Sequence, residues 1–224
     1  GPDRQGDANQ VTAAVTSRFL SAVSGAEMFR ASVGQVRYLR DRQVALLPGP
    51  AVEASESAIV GELWARLTRA LLARGDLEWD PDTGSTQRSV FGVYYRPQNG
   101  LLLNASYRMR RELPDLSAPG LTESMEQIDI SGVVPLGRNW QLVGRSYYSL
   151  PESKIIESFV GVGYESCCWG ARVVTRRYVR DLGGDTTSAI LFELELKGLT
   201  NIGNKVENLL TEGVFGYNRD AYGF

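Results

Sequence analysis

Histidine is absent from all 224 residues, and cysteine occurs only twice, as the neighbours Cys167 and Cys168. Without histidine there is no Ser-His-Asp or Cys-His device and no imidazole metal site within these residues. Two adjacent thiols cannot supply a four-thiolate zinc cage either, so the reading assigns no catalytic residue, no metal ligand and no cofactor. A charge excess is missing too: 24 basic residues face 26 acidic ones, and no basic patch with interleaved aromatics exists to track a phosphate backbone. Nucleic acid is therefore excluded as a partner. No stretch approaches the roughly 20 apolar residues of a membrane-spanning helix. The first residues, Gly1 to Asp7, lack the basic-then-apolar layout of a signal peptide.

What the chain does contain is period-two alternation, many times over. In Ile190-Leu191-Phe192-Glu193-Leu194-Glu195-Leu196-Lys197, the residues Ile190, Phe192, Leu194 and Leu196 share one face, while Glu193, Glu195 and Lys197 share the other. Leu101, Leu103, Ala105, Tyr107 and Met109 alternate with Asn104, Ser106, Arg108 and Arg110 in the same way, and Val11, Ala13, Val15 and Phe19 alternate with Thr12, Thr16 and Arg18. Similar segments near 28–38, 58–68, 71–80, 88–97, 126–136, 139–149, 155–166 and 168–180 bring the expectation to about eleven strands. Tight turns are expected at Ser24-Gly25, Gln98-Asn99-Gly100, Leu136-Gly137-Arg138-Asn139 and Pro151-Glu152-Ser153. Longer polar links run through 41–56, 80–87, 112–124 and 181–187.

Alternation alone leaves two architectures open: a soluble sandwich or lipocalin-like barrel with the oily face inside, and a membrane barrel with that face outside. Short turns on one rim with long loops on the other, and charge spread over the opposite face of most strands, favour the second. So do Trp79, Tyr94, Tyr95, Trp140, Tyr147, Tyr148, Tyr164, Trp169 and Tyr178, which fall mostly toward strand ends, where interfacial aromatic girdles sit. The fold class is thus read as all-β, an antiparallel transmembrane β-barrel meander. Bacterial barrels of this kind have an even number of strands, so about eleven strands without an export signal imply a partial wall cut from a longer chain. A general outer-membrane porin or channel is the alternative.

The cysteines point the same way. A disulfide needs Cα atoms about 4.4–6.8 Å apart, and trans-linked neighbours are only about 3.8 Å apart. Either both thiols stay free at a turn, or their partners lie elsewhere.

Several motifs, in order along the chain, resemble the LPS-assembly protein LptD family, whose members insert lipopolysaccharide into the outer leaflet of the Gram-negative outer membrane. They are Asp3-Arg4-Gln5-Gly6-Asp7-Ala8-Asn9-Gln10, Thr16-Ser17-Arg18-Phe19, Ser32-Val33-Gly34-Gln35, Glu78-Trp79-Asp80-Pro81, Tyr94-Tyr95-Arg96-Pro97, Tyr164-Glu165-Ser166-Cys167-Cys168-Trp169 and Glu193-Leu194-Glu195-Leu196-Lys197-Gly198-Leu199. The resemblance implies a C-terminal barrel fragment in the bacterial outer membrane. Residues 1–198 would form wall, and 199–224 a tail on the periplasmic side, although the ending Tyr222-Gly223-Phe224 departs from the family's. It implies that Cys167 and Cys168 form disulfides to an absent N-terminal region. It also implies that Ile190, Phe192, Leu194 and Leu196 mark the final strand and assembly signal. The implied partners are lipopolysaccharide, the plug lipoprotein of the translocon, the periplasmic bridge protein and the barrel-assembly machinery. Arg172 and Arg176 are candidate luminal contacts for lipid phosphates, whereas Glu193 and Glu195 read as hydrated luminal carboxylates. An outer-membrane phospholipase would need a nucleophile and base, and without histidine the likeliest base is missing from these residues.

Overall fold

The computed structural model describes residues 9–39, 57–114, 122–180 and 185–218. The motif residues Asp3 to Ala8, the ending Tyr222-Gly223-Phe224, and most of the links 41–56, 112–124 and 181–187 lie outside the described residues. Twelve antiparallel strands form one sheet in strict sequence order: β1 Gln10–Leu20, β2 Glu27–Tyr38, β3 Ile59–Arg66, β4 Leu71–Asp80, β5 Ser85–Tyr95, β6 Leu102–Pro114, β7 Thr122–Pro135, β8 Trp140–Ser149, β9 Lys154–Glu165, β10 Trp169–Val179, β11 Thr186–Leu196 and β12 Thr200–Gly203. One short helix, α1 Val206–Gly213, follows. The sheet is open, with β1 bonded only to β2 and β12 only to β11. No described helix is long and apolar enough to cross a membrane.

Register assigns the two faces. Val173 pairs with Phe192 and Val162, and Arg172 with Glu193 and Gly163, so side chains opposite one another across the ladder share a face. Carried across the sheet, one face collects Val15, Val33, Leu63, Leu77, Phe91, Leu103, Ile130, Leu142, Val160, Val173 and Phe192, all exposed. The other collects Arg30, Glu62, Arg74, Asp76, Arg108, Asp129, Arg145, Glu157, Arg172 and Glu193. The tail packs on this second, charged face, which is therefore the inner one. Its residues Val206, Leu210, Val214 and Tyr217 bury against Leu102, Val133, Val143, Phe159 and Val174, which come from five consecutive strands. Flat strands spaced about 4.8 Å apart would spread those five over about 19 Å, nearly twice the width of a helix, so the sheet must curl around the tail.

The rims are less unequal than the sequence suggests. One rim carries six short connections, including Gln98-Asn99-Gly100 and the Gly137 turn, where Gly100 (φ 80°) and Gly137 (φ 103°) adopt the left-handed backbone that favours glycine. The other rim carries the one long link, β2–β3 (39–58), while β6–β7 (115–121) and β10–β11 (180–185) are no more than a residue longer than β1–β2 and β5–β6. The expected tight turn Pro151-Glu152-Ser153 lies on this long-loop rim, and the expected longer link at 80–87 is there a four-residue turn, Pro81-Asp82-Thr83-Gly84. Asp80 closes it by accepting the Asp82 N–H at 2.9 Å.

The expectation for the final strand is corrected. Ile190, Phe192, Leu194 and Leu196 lie on β11, outward as the pattern requires, but a twelfth strand follows. The chain reverses at Gly198 (φ 79°) and pairs Thr200 to Gly203 back onto Leu196 to Glu193. Four residues are too few for alternation to be read, which is why β12 escapes a count based on period.

Candidate functional site

The turn between β9 and β10, Ser166-Cys167-Cys168, is held on both sides. Ser166 N–H donates to the Trp169 carbonyl (2.9 Å), the Asn139 amide donates to the Glu165 carbonyl (2.6 Å), and Lys197 N–H donates to the Cys168 carbonyl (3.0 Å). The Lys197 ammonium also donates to the Ser166 carbonyl at 2.6 Å. Within this frame both cysteines are free and exposed, with their Sγ atoms 2.8 Å apart. The contact splits their acidities. A hydrogen bond from Cys168, helped by one from Ser166, stabilises the Cys167 thiolate and lowers its pKa, while the same contact with Cys167 raises that of Cys168. Outside the turn, Trp140, Tyr164 and Trp169 stack in series with ring centroids 4.9 Å apart at each step. They share the outer face at the short-turn rim, as the girdle reading expects; Tyr94, Tyr147 and Tyr178 instead point inward.

Behind the turn, on the inner face, lies a buried ion cluster. Arg172, only 2% exposed, bonds the Glu165 carboxylate and lies 3.8 Å from both Glu193 and Glu195. Lys197 reaches the second Glu165 oxygen at 3.2 Å. The helix adds the last link, because the Glu207 N–H at the start of α1 donates to Glu193 at 3.0 Å. Charges so removed from water depend on such partners, and breaking a buried pair typically costs about 3–5 kcal/mol. Space for it comes from a glycine: a Cβ at Gly170 would sit 2.8 Å from a Glu165 oxygen.

The candidate site residues therefore divide. Glu193 and Glu195 are not hydrated luminal carboxylates; they are 3% and 4% exposed, covered by the tail. Arg172 has no surface to offer a lipid phosphate while the tail is docked. Arg176 is one-third exposed, stacks over Tyr178 (4.5 Å) and pairs with Glu157 at 2.5 Å. Glu157 also accepts from Arg145 (2.9 Å), which grips Asp129 through two nitrogens at 2.6 and 3.1 Å.

The docked tail is the feature that sequence reasoning missed. Its signal was present: Leu102, Val133, Val143, Phe159 and Val174 occupy inward positions that a water-filled lumen would make polar. Val206, Leu210 and Gly213 recur at helical spacing on one face of α1, and a Cβ at Gly213 would come within 2.8 Å of the Phe159 ring.

Comparison with known proteins bears on all of this. A family model described as LptD, LPS transport system D, matches residues 1–140. The chain belongs to the LptD family. The LPS-assembly protein LptD of Nitrosococcus oceani is 43% identical over 98% of the chain and 28% of its own length. That of Alkalilimnicola ehrlichii is 35% identical over 99% of the chain and 29% of its own length, and that of an Azoarcus species 37% identical over 98% and 26%. The chain thus spans under a third of each LptD relative, and an open twelve-stranded sheet is what a partial barrel wall looks like.

Proposed function

We propose that this chain is a C-terminal section of an outer-membrane barrel that delivers lipopolysaccharide to the outer leaflet, the acyl chains leaving through the wall while the sugars pass inside. One observation carries the reading: a single meander with an apolar outer face and a charged inner face, in a chain that belongs to the LptD family. Acyl chains favour hydrocarbon by about 0.8 kcal/mol per CH₂, so a route that keeps them out of water is physically required. The short-turn rim then faces the periplasm, as in outer-membrane barrels generally. Cys167 and Cys168 project from that rim toward an N-terminal region that supplies their disulfide partners, in a compartment that keeps such bonds oxidised. The plug lipoprotein, the periplasmic bridge protein and the assembly machinery complete the partner set. A general porin accounts less well for a rim whose inner face is filled by a docked tail.

The test uses the full-length protein in cells depleted of their own copy. Wild type restores lipopolysaccharide at the surface, measured with a non-permeating label. Cys167→Ser/Cys168→Ser removes the mobility difference between oxidised and reduced protein in electrophoresis and lowers surface lipopolysaccharide. Failure of the wild type to restore it refutes the transport reading; a mobility difference that survives the double substitution refutes the long-range disulfides.

A further inference from the structure

At the short-turn rim, about 450 Å³ of space opens on the inner face between β3, β4, β5, β6 and the docked tail, and three of its lining residues are Arg66, Arg69 and Arg96. No described Asp or Glu lines it. Arg74, Arg145, Arg172 and Arg176 on the same face each have a carboxylate within 4 Å, whereas no ion pair joins Arg66, Arg69 or Arg96 to a described carboxylate. Arg66 instead lies over the Trp64 ring at 5.3 Å. Three guanidinium groups around one cavity repel each other, and an anion seated among them turns that repulsion into attraction.

The remaining lining is mostly apolar, with Thr68 and Asn104 as its polar side chains beside Tyr94. Tyr94 packs on Phe215 with ring centroids 4.7 Å apart, and the Asn104 amide fixes the tail by donating to the Phe215 carbonyl at 2.9 Å. The cavity thus couples a cationic mouth to an aromatic wall, and the wall exists only because the tail is docked.

The geometry points to a phosphate-binding site, in which Arg66, Arg69 and Arg96 hold a phosphate group carried by a glycolipid at the rim where substrate enters. Phosphate suits three planar forks better than a single carboxylate does, since it has more acceptor oxygens and up to twice the charge. The identity of the glycolipid as lipopolysaccharide rests on the transport reading above; the phosphate site itself does not.

The experiment measures equilibrium binding to the full-length protein in detergent, using lipopolysaccharide, its enzymatically dephosphorylated form and inorganic pyrophosphate. All three arginines are exposed, so R66Q/R69Q/R96Q should retain heat-modifiable electrophoretic mobility, and Arg177→Gln on the outer face serves as the control. The triple variant is expected to bind phosphorylated lipopolysaccharide on the order of 30-fold more weakly, with the dephosphorylated form unchanged and the control like wild type. Equal binding of the phosphorylated form by wild type and triple variant overturns the site and leaves transport standing. If wild type binds neither lipid form, the transport reading fails instead. Pyrophosphate binding that depends on the arginines then keeps the site, with a soluble phosphate as its source; pyrophosphate binding that ignores them, or is absent, overturns it.

Discussion

At the scale of single residues, Cys167 and Cys168 differ although they are neighbours on one exposed turn. The hydrogen bond between them favours the thiolate of Cys167 and disfavours that of Cys168. A lowered thiol pKa means that the reactive thiolate persists as pH falls, so in the reduced protein Cys167 should be alkylated first, with its lead over Cys168 growing from pH 9 toward pH 7. Peptide mapping after brief iodoacetamide treatment checks this; equal labelling of both thiols across that range would sink it. Glycines are the other residues whose role is local. A Cβ at Gly161 would lie 2.7 Å from the Val173 carbonyl and 2.5 Å from the Val174 side chain, so the close approach of β9 to β10 depends on its absence.

Among the elements, α1 and the residues after it do most to distinguish this sheet from a simple meander. Leu210, 1% exposed, sits at the centre of the cluster formed with five strands. Truncating a buried leucine to alanine typically costs about 2–5 kcal/mol, and here the loss falls on docking of the tail rather than on the strand ladders. In the folded full-length protein, Leu210→Ala should therefore hasten protease cleavage within 204–218 while the strands stay resistant. An unchanged cleavage rate would show that the tail is held by something other than this cluster. The same element carries the Glu207 link to Glu193, so its release would also unpin one carboxylate of the buried ion cluster. β12 is held only weakly to the ladder by its four paired residues, with Asn204 adding two contacts to Phe192: its N–H donates to the Phe192 carbonyl at 2.7 Å and its side-chain oxygen accepts the Phe192 N–H at 3.1 Å.

For the whole molecule, the decisive property is the open sheet. Every residue of β1 is exposed, and β1 and β12 each have one unbonded edge. Unpaired backbone groups in hydrocarbon cost several kcal/mol each, so such edges cannot stand in a membrane. The 224 residues expressed alone should give no heat-modifiable barrel band in electrophoresis of boiled against unboiled samples, and co-expression with the N-terminal remainder of the protein should restore it. A heat-modifiable monomer from the chain alone would contradict this.

Much of the wall was legible because a membrane barrel writes its two faces into alternate residues. Segments such as 190–197 and 101–110 revealed strand type, phase and which residues travel together, and the ordered set of motifs from Asp3 to Leu199 revealed the family. Three things were not legible, each for a physical reason. A four-residue strand is too short to show a period. Inward-facing Leu102, Val133, Val143, Phe159 and Val174 look like phase errors until a tail from far along the chain covers them. Arg172 reads as one more luminal cation, because burial depends on what packs above it and not on its neighbours in the chain. The sequence by itself determined the long strands, their two-faced pattern and the placing of two thiols side by side on one turn, all of which are properties of nearest neighbours along the chain. Only the tertiary structure decided which face holds the tail, which charges it buries and which arginines it leaves facing an open cavity, because those depend on contacts across as many as 111 residues of sequence, as between Asn104 and Phe215.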